Sequence, residues 1–220
     1  VVDPVSSRTI DSLRVIACGV VVASHAYEML TGVLDNPINE TISYTAVAVF
    51  FFLSGYVNQL SYQEKPGYPA FLAARARRLL PLYYLVALFS LALAWGAGLL
   101  RSTDWLNLLF LQSIAVPTVA TNGPLWSLAW EMVLYLAFPL VLGIVRRPVV
   151  YLVPLVVLLV LFGRHQVLLL AFLGGVTASY YGWRFPRFVF LPGWGRWTYE
   201  VYACHYPLMF LAYGALLVAV

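Results

Sequence analysis

The sequence predicts an all-α integral membrane protein, a polytopic helical bundle of about seven to eight transmembrane helices. Three observations carry that prediction. Hydrophobic residues make up 62% of the 220 and charged residues only 10%, where a soluble domain carries about 25% charged. Apolar runs near the ~20 residues needed to cross a bilayer recur along the chain. Most Lys and Arg residues fall between those runs, so the net charge of +4 reads as a topology signal and not as a nucleic-acid footprint.

Seven spans follow in order, at about 10–31, 41–61, 79–99, 124–145, 148–163, 166–182 and 198–219. The first is too long, and too interrupted by Arg14 and His25, for a cleaved signal peptide. An eighth apolar run, Trp105 to Val116, is short for a crossing and is followed by PTVATNGP. Charge decides its treatment. If it does not cross, eleven of the thirteen Lys and Arg residues lie on the cytoplasmic side with the N-terminus, leaving Arg101 and Arg164 outside. If it crosses, the arginines at 146, 147, 184, 187 and 196 move outside. Residues 105–123 are therefore expected to be re-entrant or interfacial, buried in protein or lining a cavity. The longest connections are 62–78, with a turn at Pro66-Gly67, and 183–197. No internal repeat or soluble module interrupts the apolar segments, so residues 1–220 read as a single transmembrane domain whose chemistry lies inside the bundle.

Several groups in the spans carry chemistry. Arg14 and His25 are eleven residues apart, close to three helical turns, so they share a stripe with Asp11, Cys18 and Glu28. Charged groups inside a membrane cost about 2.5–3.5 kcal/mol on insertion scales and usually face a protein interior or a wet cavity. Arg14 snorkelling to headgroups is the plainer alternative. The run FFFLSG ends the second span at Ser54 and Gly55, where glycine admits a ligand or merely a neighbouring helix. Arg75, Arg77 and Arg78 are either a topology determinant or a phosphate clamp. Glu131, between Trp126 and the rest of its span, is a functional carboxylate or a partner for Arg14; the tryptophans also suit an aromatic belt. Tyr202 and His205 lie on the last span, where a satisfied core histidine weighs equally with a catalyst. His25, His165 and His205 show no metal-ligand spacing, so no metal is expected. Cys18 and Cys204 read as packing residues.

Taken together, Arg14-x10-His25, Phe50-Phe51-x-x-Ser54-Gly55, Arg75-x-x-Arg78, Leu125-Trp126-Ser-Leu-x-x-Glu131 and Tyr199-x-x-Tyr202-x-x-His205-x-Pro207 resemble the membrane acyltransferase-3 family. The resemblance covers about 8–145 and 194–212. It implies transfer of an acyl group, often acetyl, from cytoplasmic acyl-CoA to a hydroxyl of a surface carbohydrate or glycolipid, in a bacterial cytoplasmic membrane. Family members usually have about ten spans, and here two apolar segments separate Arg146 from Gly193, so the chain resembles a shortened member. On the residues, acyl transfer to a hydroxyl needs a base, which His25 supplies. Arg14 is expected to anchor the donor or the oxyanion. Glu131 is expected to orient His25 or the acceptor. Arg75 and Arg78, with Ser54 and Gly55, are expected at the donor, and Tyr202, His205 and Trp126 as an additional site. At 1.5 Å per residue Arg14 and His25 stand about 16 Å apart, a gap that an extended pantetheine arm would span. Two rivals stand beside this reading: a small transporter or channel, and a non-enzymatic scaffold derived from a shortened acyltransferase.

Overall fold

The computed structural model describes residues 4–33, 36–64, 67–191 and 193–219, with side chains from residue 7 to residue 214. Lys65 and Pro66 of the expected turn lie outside the described residues. Among the described residues the chain is helical, and the one β feature is an isolated bridge between Gln112 and Val116. The helices are α1 (Pro4–Thr31), α2 (Pro37–Glu64), α3 (Tyr68–Gly96), α4 (Leu125–Leu136), α5 (Phe138–Arg146), α6 (Leu152–Phe162), α7 (Gln166–Tyr180) and α8 (Thr198–Ala219). Gly67, at φ 147°, occupies the turn before α3 in a conformation that only glycine adopts freely.

Among the described residues four stretches are long and apolar enough to cross a membrane: Ser7–Thr31, Pro37–Glu64, Tyr68–Gly96 and Leu152–Tyr180. The α4–α5 pair, bent by 64°, makes a fifth if it is one span. The expected seven segments exceed this number, because by length and composition α6 and α7 fall in a single candidate stretch and α8 is not among the candidates. The stretch from α6 through a 3-10 turn at Gly163–His165 to α7 counts as one piece, and α6 alone has 11 residues. That is about 16 Å at 1.5 Å per residue, against an apolar core of about 30 Å.

Residues 105–123 form no helix of crossing length. They hold the end of a short 3-10 helix, Asp104–Leu109, followed by irregular chain. Irregular backbone away from water needs internal partners, and buried side chains supply them. Asn107 accepts from the backbone N–H of Val119 at 3.1 Å and donates to the carbonyl of Pro117 at 3.3 Å. Gln112 donates to the Tyr83 hydroxyl at 2.8 Å and to the carbonyl of Leu125 at 3.0 Å. Thr121 donates to the carbonyl of Ser90 at 2.6 Å, which fastens the segment to α3.

Glycine sets the seam between α2 and α7. A Cβ at Gly55 would fall on the carbonyl oxygen of Phe172, and one at Gly175 on that of Phe52, so the two backbones touch. Tyr44 pairs with His165, at 6.1 Å between ring centroids, and the Tyr56 hydroxyl donates to the carbonyl of Trp183 at 2.7 Å. Those pairs advance together, so α2 and α7 run in the same direction. The chain after α7 then folds onto the start of α1. Thr9 donates to the carbonyl of Pro186 at 3.0 Å, and the N–H of Phe190 donates to Ser12 at 2.8 Å. Gly195 packs where any side chain would meet Asp11. This docking brings the first turn of α8 level with Arg14.

Candidate active site

The site is built in two compartments strung along α1. The first is a cavity of about 90 Å³, lined by Arg14 of α1, Ser54 of α2, Arg75 and Arg78 of α3, Glu131 and Tyr135 of α4, and Tyr199 and Tyr202 of α8. Three arginines against one glutamate leave it formally +2, counting 3 − 1 on those lining residues. Glu131 accepts from Ser54 at 2.9 Å and from the hydroxyl of Tyr135, its i+4 neighbour. Arg14 faces Asp11, one turn back, at 3.7 Å, and its side chain is 15% exposed. Arg75 lays its guanidinium 5.4 Å from the centre of the Phe71 ring. Its Nε is buried and has no hydrogen-bond partner, a costly state for a charged donor. Arg78 is exposed, so the cavity opens at that side. Tyr202 lines the far end and shares a 2.7 Å hydrogen bond with Ser127.

The second compartment is a set of rings beyond Tyr202. His205 lies 6.0 Å from Tyr202 between centroids, and His25 stacks on His205 at 5.5 Å. His25 Nδ1 lies 2.9 Å from a Glu28 oxygen, and Tyr206 stands edge-on to the His25 ring at 5.2 Å. His205 Nδ1 lies 2.7 Å from the carbonyl of Tyr202, to which it donates, and its Nε2 is buried without a partner. Pro207 explains part of this local geometry. It lacks an N–H, so the carbonyl of Ala203 has no helical donor, and Asn122 crosses from the 105–123 segment to donate to it at 3.2 Å.

The structure therefore brings together Arg14, Ser54, Arg75, Arg78, Glu131 and Tyr202. His25 and His205 lie one step beyond them. Three expectations are corrected. Glu131 does not orient His25, because Ser54 and Tyr135 hold it inside the cavity; the carboxylate on His25 is Glu28. Gly55 does not face a ligand, because its open side is taken by the α7 backbone. Trp126 does not reach the cavity. It lies beside His165 at 4.7 Å and nearly parallel to Tyr44 at 5.9 Å, in a separate aromatic cluster. Cys18 is buried and donates to the carbonyl of Thr198 at 3.6 Å, a packing contact against α8. Among the described residues no group of three His, Cys, Asp or Glu side chains converges as a metal site would require.

The spacing puts Glu28 on the stripe of His25 without pairing the two, and Asn39 is not among the candidates. Glu28 was legible in principle, since residues three apart face each other on a helix. Asn39 comes from the next helix and left no such signal.

Comparisons with known proteins bear on the family. A family model described as an acyltransferase domain, Acyl_transf_3, matches residues 8–195. The chain is similar to nodulation protein 10 of Rhizobium leguminosarum bv. viciae, with 31% identity over 62% of this chain and 44% of that protein. It is also similar to acyltransferase MdmB of Streptomyces mycarofaciens, with 37% identity over 49% of this chain and 30% of that protein. The chain thus spans less than half the length of either relative. No solved structure matches it. With a family model covering residues 8–195 and several helices long and apolar enough to span a bilayer, this chain belongs to the acyltransferase-3 family.

Proposed function

We propose that the enzyme moves an acyl group, acetyl in the simplest case, from acyl-CoA to a hydroxyl of a carbohydrate or glycolipid. The orphaned Nε of Arg75, inside a cavity of formal charge +2, is the observation that carries this reading. Guanidinium groups match phosphate oxygens, and the donor brings phosphates. The cavity has a volume of about 90 Å³. It suits a narrow chain entering end-on. In this reading the nucleotide rests on Arg75 and Arg78 at the open side, and the pantetheine arm threads past Arg14 and Tyr202. The thioester then arrives beside His205 and His25. Arg14 serves the donor rather than the oxyanion, since it stands about 16 Å along α1 from His25.

The chemistry runs in one displacement. His25 takes the proton of the acceptor hydroxyl as the oxygen attacks the thioester carbon. The new O–C bond forms, the C–S bond breaks, and the proton passes from His25 to the departing sulfur. The orientation places the N-terminus and the open side of the cavity in the cytoplasm of a bacterium, following the arginine distribution. The seven-span segmentation and the single domain over 1–220 belong to the same reading. A transporter has no need of a guanidinium cluster at one mouth of the cavity.

The experiment is transfer of label from acetyl-CoA by purified protein. His25→Ala should abolish it with expression and thermal unfolding unchanged. Turnover at the wild-type rate in that variant would remove His25 from the mechanism.

A further inference from the structure

We infer that Glu28, anchored by Asn39, is the positioning carboxylate of His25. The inference rests on the reading of His25 as the base and adds the device that aims it. His25 Nδ1 and Glu28 Oε2 are 2.9 Å apart, with the two side chains only 18% and 17% exposed. An ionised carboxylate accepts and cannot donate, so the imidazole proton sits on Nδ1 and the lone pair on Nε2. The carboxylate is itself held. Its Oε1 accepts from the Asn39 amide at 2.8 Å, and the same amide donates to the carbonyl of Ser24 at 3.2 Å. Ser24 returns a hydrogen bond from its hydroxyl to the carbonyl of Asn39 at 3.4 Å. The start of α2 is thus clipped to the end of α1 around a single carboxylate.

The ring plane is fixed from the opposite side. His205 stacks on His25 at 24° and Tyr206 meets it edge-on at 85°. The titratable groups facing His25 are therefore Glu28 on its own helix and His205 and Tyr206 on α8, while α2 presents the neutral amide of Asn39. His205 does not replace Glu28 as the orienting group, because its ring lies stacked on the face of His25, out of line for a hydrogen bond, and its Nδ1 donates to the Tyr202 carbonyl. Glu131 cannot either, since its partners are Ser54 and Tyr135.

During transfer the acceptor proton goes to Nε2 while Nδ1 keeps its own proton on Glu28. The imidazolium is then paired with a carboxylate until the leaving thiolate takes the Nε2 proton. A carboxylate in this place fixes tautomer and orientation and stabilises the transient cation, which is the division of labour in carboxylate–imidazole pairs generally. Glu28 touches neither substrate.

The test joins kinetics to a spectrum. Glu28→Ala should lower kcat about 100-fold, and Asn39→Ala about 10-fold, by analogy with the range found when the partners behind metal-ligating histidines are removed. Donor KM should stay within about twofold, because neither residue lines the donor cavity. The chain has three histidines, so a ¹⁵N-histidine spectrum of detergent-solubilised protein is readable, with His25 assigned by loss of its signals in His25→Gln. Wild type should show His25 protonated at Nδ1, and Glu28→Ala a mixture of tautomers. Wild-type kcat in Glu28→Ala, or an unchanged tautomer, overturns the inference. Should Glu28→Ala fail to fold, the isosteric Glu28→Gln carries the kinetic arm with the same expected direction, and wild-type kcat there is equally fatal. If His25→Ala itself remains active, the parent reading falls; if His25→Ala is dead and Glu28→Ala is normal, only this inference does.

Discussion

Arg75 shows how one side chain can be placed by its neighbours and left waiting. The Phe71 ring lies against its guanidinium and the cavity wall covers its Nε, yet nothing accepts from that nitrogen. A charged donor buried without a partner costs free energy in the empty protein, and an anionic oxygen would relieve it. Arg75→Ala should therefore weaken CoA binding at least about 10-fold, and the loss should shrink as salt rises and screens the attraction between this guanidinium and the phosphates. Calorimetry across a salt series checks this; equal affinity in variant and wild type at low salt would leave the cluster a topology signal only. Sequence reasoning reached this residue because three arginines before an apolar span are conspicuous. It misplaced the carboxylates for the converse reason. Glu131 and Glu28 look alike as lone acids in apolar runs, and only tertiary packing shows which one meets an imidazole.

At the scale of elements, the α2–α7 seam shows what sequence can and cannot assign. The pair at Ser54-Gly55 was read with two outcomes open, ligand approach or helix contact. The fold divides them: Ser54 enters the cavity while Gly55 presses on Phe172. Adjacent residues on a helix point about 100° apart, so one motif serves two surfaces. Gly175→Ala would drive a methyl into the Phe52 carbonyl and force the helices apart. The expected cost is about 3 kcal/mol, the upper range for overpacking, seen as a lower midpoint of thermal unfolding in detergent. A midpoint equal to wild type would mean that the backbones do not touch. The helices themselves were legible from apolar run length. Their division into spans was not, because α4, α5 and α6 are each too short to cross and how they join is a matter of bend angle rather than composition.

Across the whole molecule, the two compartments share α1 and α8, and the docking of residues 186–190 onto the first turns of α1 sets their relative height. The stripe carrying Arg14 and His25 was visible in the spacing, and so was their separation of about 16 Å. That the separation places them in different compartments, with Tyr202 and His205 between, required the packing of α8. The irregular 105–123 segment was recognised by charge balance, while the side chains that make it tolerable, Asn107, Gln112 and Thr121, carried no periodic signal.

The missing N–H of Pro207 has a further consequence, expressed as epistasis between distant positions. Asn122 crosses to α8 to donate to the carbonyl that Pro207 leaves free, and also donates to the Ser90 hydroxyl at 3.1 Å. Asn122→Ala in the wild-type background should cost about 1–3 kcal/mol, the penalty for buried groups left unsatisfied. In a Pro207→Ala background the new N–H would reach Ala203 along the helix, so the same substitution should cost measurably less. A double-mutant cycle on unfolding free energy isolates that coupling, and strict additivity would show that the two residues are independent. If they are coupled, position 122 and position 207 form one unit of inheritance: a proline enters the last helix only in a sequence that already holds an amide eighty-five residues upstream.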